Sequence, residues 1–415
     1  MLRVIHTADW HLGHTLHGVA RDVEHERFLA WLLETLVTEQ ADALLVAGDV
    51  FDSANPPAAA QAMLYRFLSD AKRRLPDLAI IIVGGNHDSA SRLSAPAPIL
   101  DAFGVHVVGG LPFEADGEPD WERLVVPLGN AVGEVEAWVG AMPFLRTADL
   151  PRAPDTEADD PLIAGVAARY EALTDRLRAI ADGRGALLLT GHCYMTGGQL
   201  SELSERKILG GNQHALPVSL FPPDVAYVAL GHLHLAQALG ASKQVRYSGS
   251  PIPLSLDEAS YPHQVVRVDI ADGMLRAAES LRVPRTVDIL RVPESGPLPL
   301  EVVFQHLAQL HLPDGLAPAN YPFMEVRVSL DRPQPGLRQR VDEALAGKPV
   351  RLLKLTTMYT GSGEALAEGA VPRQLDALVP EQVFVRRYQS LHEGEPSPEL
   401  LGAFHELVEQ VQEPD

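Results

Sequence analysis

The chain has 415 residues, 46% hydrophobic and 21% charged, so it is a globular protein with enough apolar sequence for two or three domains. Lys and Arg number 34 against 55 Asp and Glu, and the formal net charge of −21 argues against a broad basic face that grips nucleic acid unaided. A single cysteine, Cys193, excludes an internal disulfide and any CxxC site; no apolar run approaches a membrane span and no leader-like segment opens the chain, so the cytoplasm is the expected compartment.

From Met1 to about Arg282 strand-like and helix-like segments alternate, which predicts a layered α/β domain over residues 1–282. An apolar run at Val4–Ile5 leads to Asp9-Trp10-His11, and Val23, Phe28, Trp31, Leu32 and Leu36 then form a helical stripe over 23–39. The buried run Ala43–Ala47 breaks at Gly48 and puts Asp49 at a strand's C-terminal edge. After Pro56-Pro57 the spacing predicts a helix over Ala58–Arg74, with Met63, Leu64, Phe67 and Leu68 on its buried side. Leu78–Val83 leads to Gly84-Gly85-Asn86-His87-Asp88, 114–120 reads as a turn between strands, and 153–161 reads as an acidic loop before a helix over 162–180. Leu187–Leu189 then leads to Gly191-His192, Val225–Leu230 to Gly231-His232-Leu233-His234, and short strands at 244–247 and 265–270 close the domain. Residues 284–359 follow a β-α-β-α-β order (286–292, 300–310, 324–330, 337–345, 350–359), predicting a small separate domain over 283–360. Residues 360–372 read as a linker, and the 361–415 segment ends in a helix with Ser397 as N-cap and Pro398 at its first position. Leu400, Leu401, Phe404, Leu407, Val408 and Val411 give that helix an apolar face.

Five apolar runs therefore end in polar residues at one kind of place, and in an open α/β sheet the carboxyl ends of strands face one crevice. Asp9 and His11 lie two apart, as do His232 and His234, so each pair points to one side of an extended chain. Carboxylate, amide and imidazole together suit a divalent ion such as manganese; zinc or iron also fits and calcium does not. Asp49 is placed to bridge two such ions, which together activate a water and clamp the oxygens of a phosphoryl displacement. Each residue has an alternative reading: Asp9 as a helix cap, Asn86 as a turn residue, His192 as a core histidine beside Cys193. The metal reading explains all of them jointly. His6, His14, His17 and His25 read as surface or turn residues, and Arg21 and Arg246 are the cations expected near the site.

DWH, GDVFD, GNHD, GHC and GHLH resemble the five signature motifs of the calcineurin-like metallophosphoesterases. More narrowly, GDVFDSANPP, FPPDVAYVALGHLHLAQ and VRYSGSPIPLSLDE resemble the bacterial SbcD family of nucleases, over nearly the whole chain. The resemblance implies β-sheets flanked by helices, a small α/β capping domain and a C-terminal helical tail. It implies one ion on Asp9, His11, Asp49 and His234, and another on Asp49, Asn86, His192 and His232. The ions would be Mn2+, with Mg2+ also accommodated. His87 matches the family's catalytic histidine, and Asp88 is placed to orient it. Relatives often carry His where this chain has Asp52. The implied activity is double-strand exonuclease and single-strand or hairpin endonuclease chemistry in DNA repair, recombination and replication. The tail would dock on an SbcC-like coiled-coil ATPase, within a heterotetramer built on a homodimer. No P-loop is present, so any ATP dependence belongs to the other chain. The alternative is a phosphoesterase for small phosphodiesters or phosphoproteins, which would not need the amphipathic tail.

Overall fold

In the Leu2–Thr7 strand, Leu2, Val4 and His6 face one way and Ile5 the other, and that alternation sets the layers of the molecule. The computed structural model describes residues 1–129, 133–151, 160–199, 215–313 and 315–360, with Phe384, Val385, Tyr388, Pro396, Leu400, Leu401 and Phe404. A six-stranded sheet runs in the order Met274–Arg282, Gln264–Ala271, Leu2–Thr7, Ala43–Ala47, Ala79–Val83, Val105–Val108. Its last four strands are parallel, with Val4 opposite Ala43 and Ala43 opposite Ala79, while Gln264–Ala271 runs antiparallel to Leu2–Thr7.

The second six-stranded sheet runs Gln237–Leu239, Val245–Tyr247, Val225–Gly231, Ala186–His192, Val135–Ala141, Val125–Gly129. Its inner strands are parallel and its two outer pairs antiparallel. Leu2, Val4, Leu45, Ile81 and Val83 of the first sheet pack in one buried cluster with Leu188, Tyr227, Val228 and Leu230 of the second. On the outer face Ile5, Leu44, Val46, Ile80 and Ile82 pack against Phe28, Leu32, Met63 and Phe67 of the helices Asp22–Thr38 and Ala58–Arg74. Each such side chain contributes roughly 1.5–3 kcal/mol by leaving water. The helix Pro161–Ala181 covers the second sheet with Tyr170, Leu173 and Leu177 and is capped by Asp160, whose carboxylate accepts from the Leu162 and Ile163 N–H groups.

The five motif-bearing strands are thus shared between two facing sheets rather than lying in one, because a strand's sequence shows where it ends but not what it pairs with. The 264–271 strand joins the first sheet and the 245–247 strand the second. His6 and His25 are buried instead of lying at the surface. His6 spans the two sheets, its Nδ1 3.0 Å from the Tyr227 hydroxyl and its Nε2 3.2 Å from the Leu230 carbonyl oxygen. Burial holds its imidazole down to about 3, so it stays neutral.

Beyond Arg282 a third sheet of four strands forms around Phe323–Leu330, which pairs in parallel with Ile289–Val292 and also with Arg351–Tyr359. Helices Leu300–Ala308 and Leu337–Ala344 lie between these strands in the chain, in the order read from the sequence. The chain divides into two compact units, Met1–Val328 with Gly336–Thr356, and Ser329–Pro335 with Thr357–Asp415. Of the expected terminal helix, Leu400, Leu401 and Phe404 are described and helical, and Phe404 stacks on Phe384 with centroids 4.3 Å apart. The cap at Ser397–Pro398, the residues Leu407, Val408 and Val411, and the linker beyond Thr360 lie outside the described residues. Among the described residues no helix is long and apolar enough to cross a membrane.

Candidate metal centre

Each strand of the two sheets that carries a motif stops at the same edge, and the loop beyond it is held by backbone hydrogen bonds to a neighbouring loop. Asp9 N–H donates to the Gly48 carbonyl at 3.0 Å, His11 N–H to Asp49 at 3.0 Å and Leu12 N–H to Val50 at 2.9 Å. Trp10, fully buried, wedges edge-on between Phe28 and Phe67 while its indole N–H donates to Thr7 Oγ1. Asp9 and His11 are thereby turned inward on either side of an anchored ring. The loops are tight enough to put several non-glycine residues in the left-handed region: Asp9 at φ +55°, His11 at +47°, Asp49 at +50° and His232 at +106°. Such conformations cost about 1–3 kcal/mol each and gather at functional sites. Gly48 and Gly85 make the approach possible, since a side chain at Gly48 would run into the His192 ring and one at Gly85 into the Asp49 carboxylate.

The seven expected ligand residues converge. Asp49 Oδ1 accepts the His87 N–H at 2.8 Å, and Asp49 Oδ2 lies 3.3 Å from His192 Nε2 and 3.6 Å from His11 Nε2, between the two rings. Asn86 Oδ1 lies 2.9 Å from His192 Nε2 and 3.2 Å from His232 Nδ1. Asp9 Oδ1 accepts the His232 N–H at 2.9 Å. Asp9, His11 and His234 each offer a donor atom within 4.8 Å of the others, and so do Asp9, Asp49 and His192. Two of these inward atoms, Asp9 Oδ2 and His11 Nε2, are buried without a hydrogen-bond partner. A buried carboxylate oxygen and imidazole nitrogen left unpaired are costly unless a cation takes them. The donor set of carboxylate, amide and imidazole fits divalent metal ions.

The crowding of these groups also shifts their titration. Burial pushes the Asp9 carboxyl up to about 6 and the His11 and His232 imidazoles down to about 4 and about 3. Burial opposes the charge on His192 and on Asp49 too, but their mutual contact wins: His192 rises to about 9 and Asp49 is held well below the usual carboxylate range.

The outward nitrogens of the rings have partners of their own. His192 Nδ1 donates to the Ala47 carbonyl at 2.9 Å. His234 Nδ1 lies 2.9 Å from Glu258 Oε1, and His11 Nδ1 3.3 Å from Asp52 Oδ1. His14 also reaches Asp52 Oδ1 at 2.9 Å, which makes it a bracing residue rather than a surface one. Sequence reasoning misses these roles of Glu258 and Asp52. Glu258 closes the VRYSGSPIPLSLDE stretch, 24 residues after His234, and that stretch does not show which side chain it meets.

His87 stands beside this cluster, its ring centroid 4.8 Å from that of His11. Its Nδ1 donates to the Asp52 carbonyl oxygen at 2.9 Å. Asp88, expected to orient the His87 ring, acts on the backbone instead. Its carboxylate accepts the N–H groups of Gly85, Val50 and Phe51 at 2.9, 3.1 and 3.0 Å, pinning the His87 loop to the Asp49 loop. Arg21, expected near the site, is 1% exposed and is spent on structure. It pairs with Glu24, donates to the Pro253 carbonyl and lies over the Phe323 ring, whose centroid is also 4.2 Å from the Arg351 guanidinium carbon. Arg246 donates to the Lys243 carbonyl.

The calcineurin-like phosphoesterase family model matches residues 2–236, and the model described as "Type 5 capsule protein repressor C-terminal domain" matches residues 285–391. The chain is 42% identical over 390 residues to the D subunit of the SbcCD nuclease of Rhodobacter capsulatus, covering 93% of this chain and 94% of the relative. Proteins of the same name from Escherichia coli and Bacillus subtilis are 35% and 36% identical, over 69% and 66% of this chain and 69% and 67% of their own. The fold is that of the family, with the phosphoesterase match ending just after the last of the histidines that converge here. The chain therefore belongs to the calcineurin-like phosphoesterases, in the SbcD branch that supplies the D subunits of SbcCD nucleases.

Proposed function

We propose that the chain is a metal-dependent DNA nuclease, hydrolysing phosphodiesters as a double-strand exonuclease and a single-strand or hairpin endonuclease. The carrying observation is His87, braced through Nδ1 beside seven converging donor residues on the rim of the site, in a chain whose relatives over most of its length are named nuclease subunits. Asp9, His11, Asp49 and His234 would hold one divalent cation, and Asp49, Asn86, His192 and His232 the other, with Mn2+ the preferred ion. When bound, the two cations activate a water and neutralise the phosphate oxygens. Asp49 would serve both, a reading supported by Oδ2 lying 3.6 Å from His11 Nε2 and 3.3 Å from His192 Nε2. Asn86 and His87 are half-buried where the ligands around them are buried, so this is the side from which a strand reaches the site. His87 holds a proton at Nε2 and passes it to the leaving oxygen as the P–O bond breaks. Asp88 fixes the loop from which it does so.

Residues 1–282 would form the nuclease domain, 283–360 a capping domain and 361–415 a linker and tail. An SbcC-like ATPase is the proposed partner, because the net charge of −21 leaves DNA without a basic platform on this chain and the relatives are named as one subunit of an SbcCD nuclease. The assembly would be a cytoplasmic heterotetramer around a homodimer of this chain, acting in DNA repair, recombination and replication.

The test is cleavage of linear, hairpin and single-stranded DNA with manganese, with and without that ATPase. Metal-dependent cutting, extended to duplex ends by ATP, is expected. Fast turnover of a cyclic nucleotide with no DNA cleavage under any divalent ion would instead select the small-substrate phosphoesterase.

A further inference from the structure

The two halves of the metal centre differ in what stands behind their imidazoles. On the Asp9 side both rings are backed by carboxylates. Glu258, 0% exposed, places Oε1 on His234 Nδ1 at 2.9 Å and takes the Leu254 N–H on Oε2 at 2.8 Å. Asp52 lies 3.3 Å from His11 Nδ1, and His14 runs from Asp52 Oδ1 to the Leu254 carbonyl at 3.0 Å. Both braces therefore end on one residue, Leu254, in the stretch after the Val245–Tyr247 strand. On the Asn86 side the His192 Nδ1 rests on a neutral carbonyl, that of Ala47, and the His232 Nδ1 points inward at Asn86.

A carboxylate on one imidazole nitrogen fixes the tautomer, with the proton on that nitrogen, and makes the opposite nitrogen a stronger donor to a metal. The Asp9 half also has a second carboxylate of its own where the other half has the Asn86 amide. We propose that Glu258 is a positioning residue which, with Asp52, makes the half formed by Asp9, His11, Asp49 and His234 the tighter divalent-cation site, loaded before its neighbour. This rests on the assignment of two cations to the seven converging residues.

The experiment is equilibrium manganese binding to the metal-free full chain, followed by electron paramagnetic resonance as the ion is added. The wild type should bind in two classes, giving a mononuclear manganese signal at one equivalent and a coupled pair at two. Glu258→Gln keeps an acceptor for His234 Nδ1–H but removes the charge. It should weaken the tighter class by about 10- to 100-fold and leave the weaker class in place. Asp52→Asn should weaken the same class through His11, which keeps the proposal testable if the Glu258 variant folds poorly. Nitrogen-15 spectra of the histidines should show the His234 proton on Nδ1 in the wild type. Two classes unchanged in both variants, or loss confined to the weaker class, would overturn the proposal. The measurement contains no nucleic acid, so its outcome is independent of whether the chain cuts DNA.

Discussion

The two sheets bring different chemistry to the same edge. The first carries every oxygen donor, Asp9, Asp49 and Asn86, together with His11 and His87; the second carries only imidazoles, His192, His232 and His234. Two of the second sheet's three imidazoles lean on the first. His192 Nδ1 rests on Ala47 and the His232 N–H on Asp9, while His234 is held by Glu258. The first sheet is the frame of the site, and the second adds imidazoles to it.

The sharpest way to break this comparison is to remove a donor from each side. Asp49→Ala should lose both cations and cut DNA at background, because its carboxylate lies between His11 and His192. His192→Ala should lose one cation only. Metal content by mass spectrometry decides between them, and equal losses would dissolve the distinction between frame and addition. His87→Ala comes next: it should retain both cations and lose cleavage by about 10²-fold or more, the usual scale for loss of a general acid. Asp88→Asn should act more weakly, since an amide can still accept from part of the three N–H groups now on the carboxylate. We expect unfolding free energy to fall by about 1–3 kcal/mol with metal content unchanged. Thermal denaturation alongside metal analysis reads both.

A pH-dependent effect lies on the seam. His6 is held neutral down to about 3 in the folded chain, against an unfolded value of 6.5. Between those values the unfolded state binds the extra proton, so the stability His6 provides is complete above pH 6.5 and is lost as pH falls toward 3. The advantage of the wild type over His6→Gln, measured without metal, should shrink below pH 6.5 by at most about 1.4 kcal/mol per pH unit. An advantage constant with pH would mean that His6 titrates as it does in the unfolded chain.

Much of the site is legible in the sequence because a buried strand followed by Gly and a polar residue is a local pattern, repeated at Gly48-Asp49, Gly191-His192 and Gly231-His232. The helix over Ala58–Arg74 is equally local, with Pro57 before it and one buried stripe. The features that escape depend on pairing at a distance. Nothing near Val125–Gly129 announces that it pairs with Val135–Ala141 at the edge of a second sheet, and Pro127 within it argues against a strand. Glu258 looks like an acid in a turn until the fold brings it to His234. His6 does carry a local signal, since it shares the period of Leu2 and Val4 and so faces the core. For Asp88 the sequence indicates the right loop and the wrong partner, because its neighbour in sequence is not its neighbour in hydrogen bonding.

The left-handed backbone at Asp9, His11, Asp49 and His232 has a consequence for anyone who redesigns or evolves this protein. At these positions the residue that functions is not the residue the backbone prefers. Glycine relieves the torsion at each, but at Asp9 and Asp49 it also strips the acceptors of the His232 and His87 N–H groups. Torsion alone favours glycine there, so hydrogen bonding and the proposed metal are what keep an acid or imidazole at that edge. A deep mutational scan scored for stability and again for cleavage should separate most widely at these four residues, and that divergence would trace the site without a ligand in view.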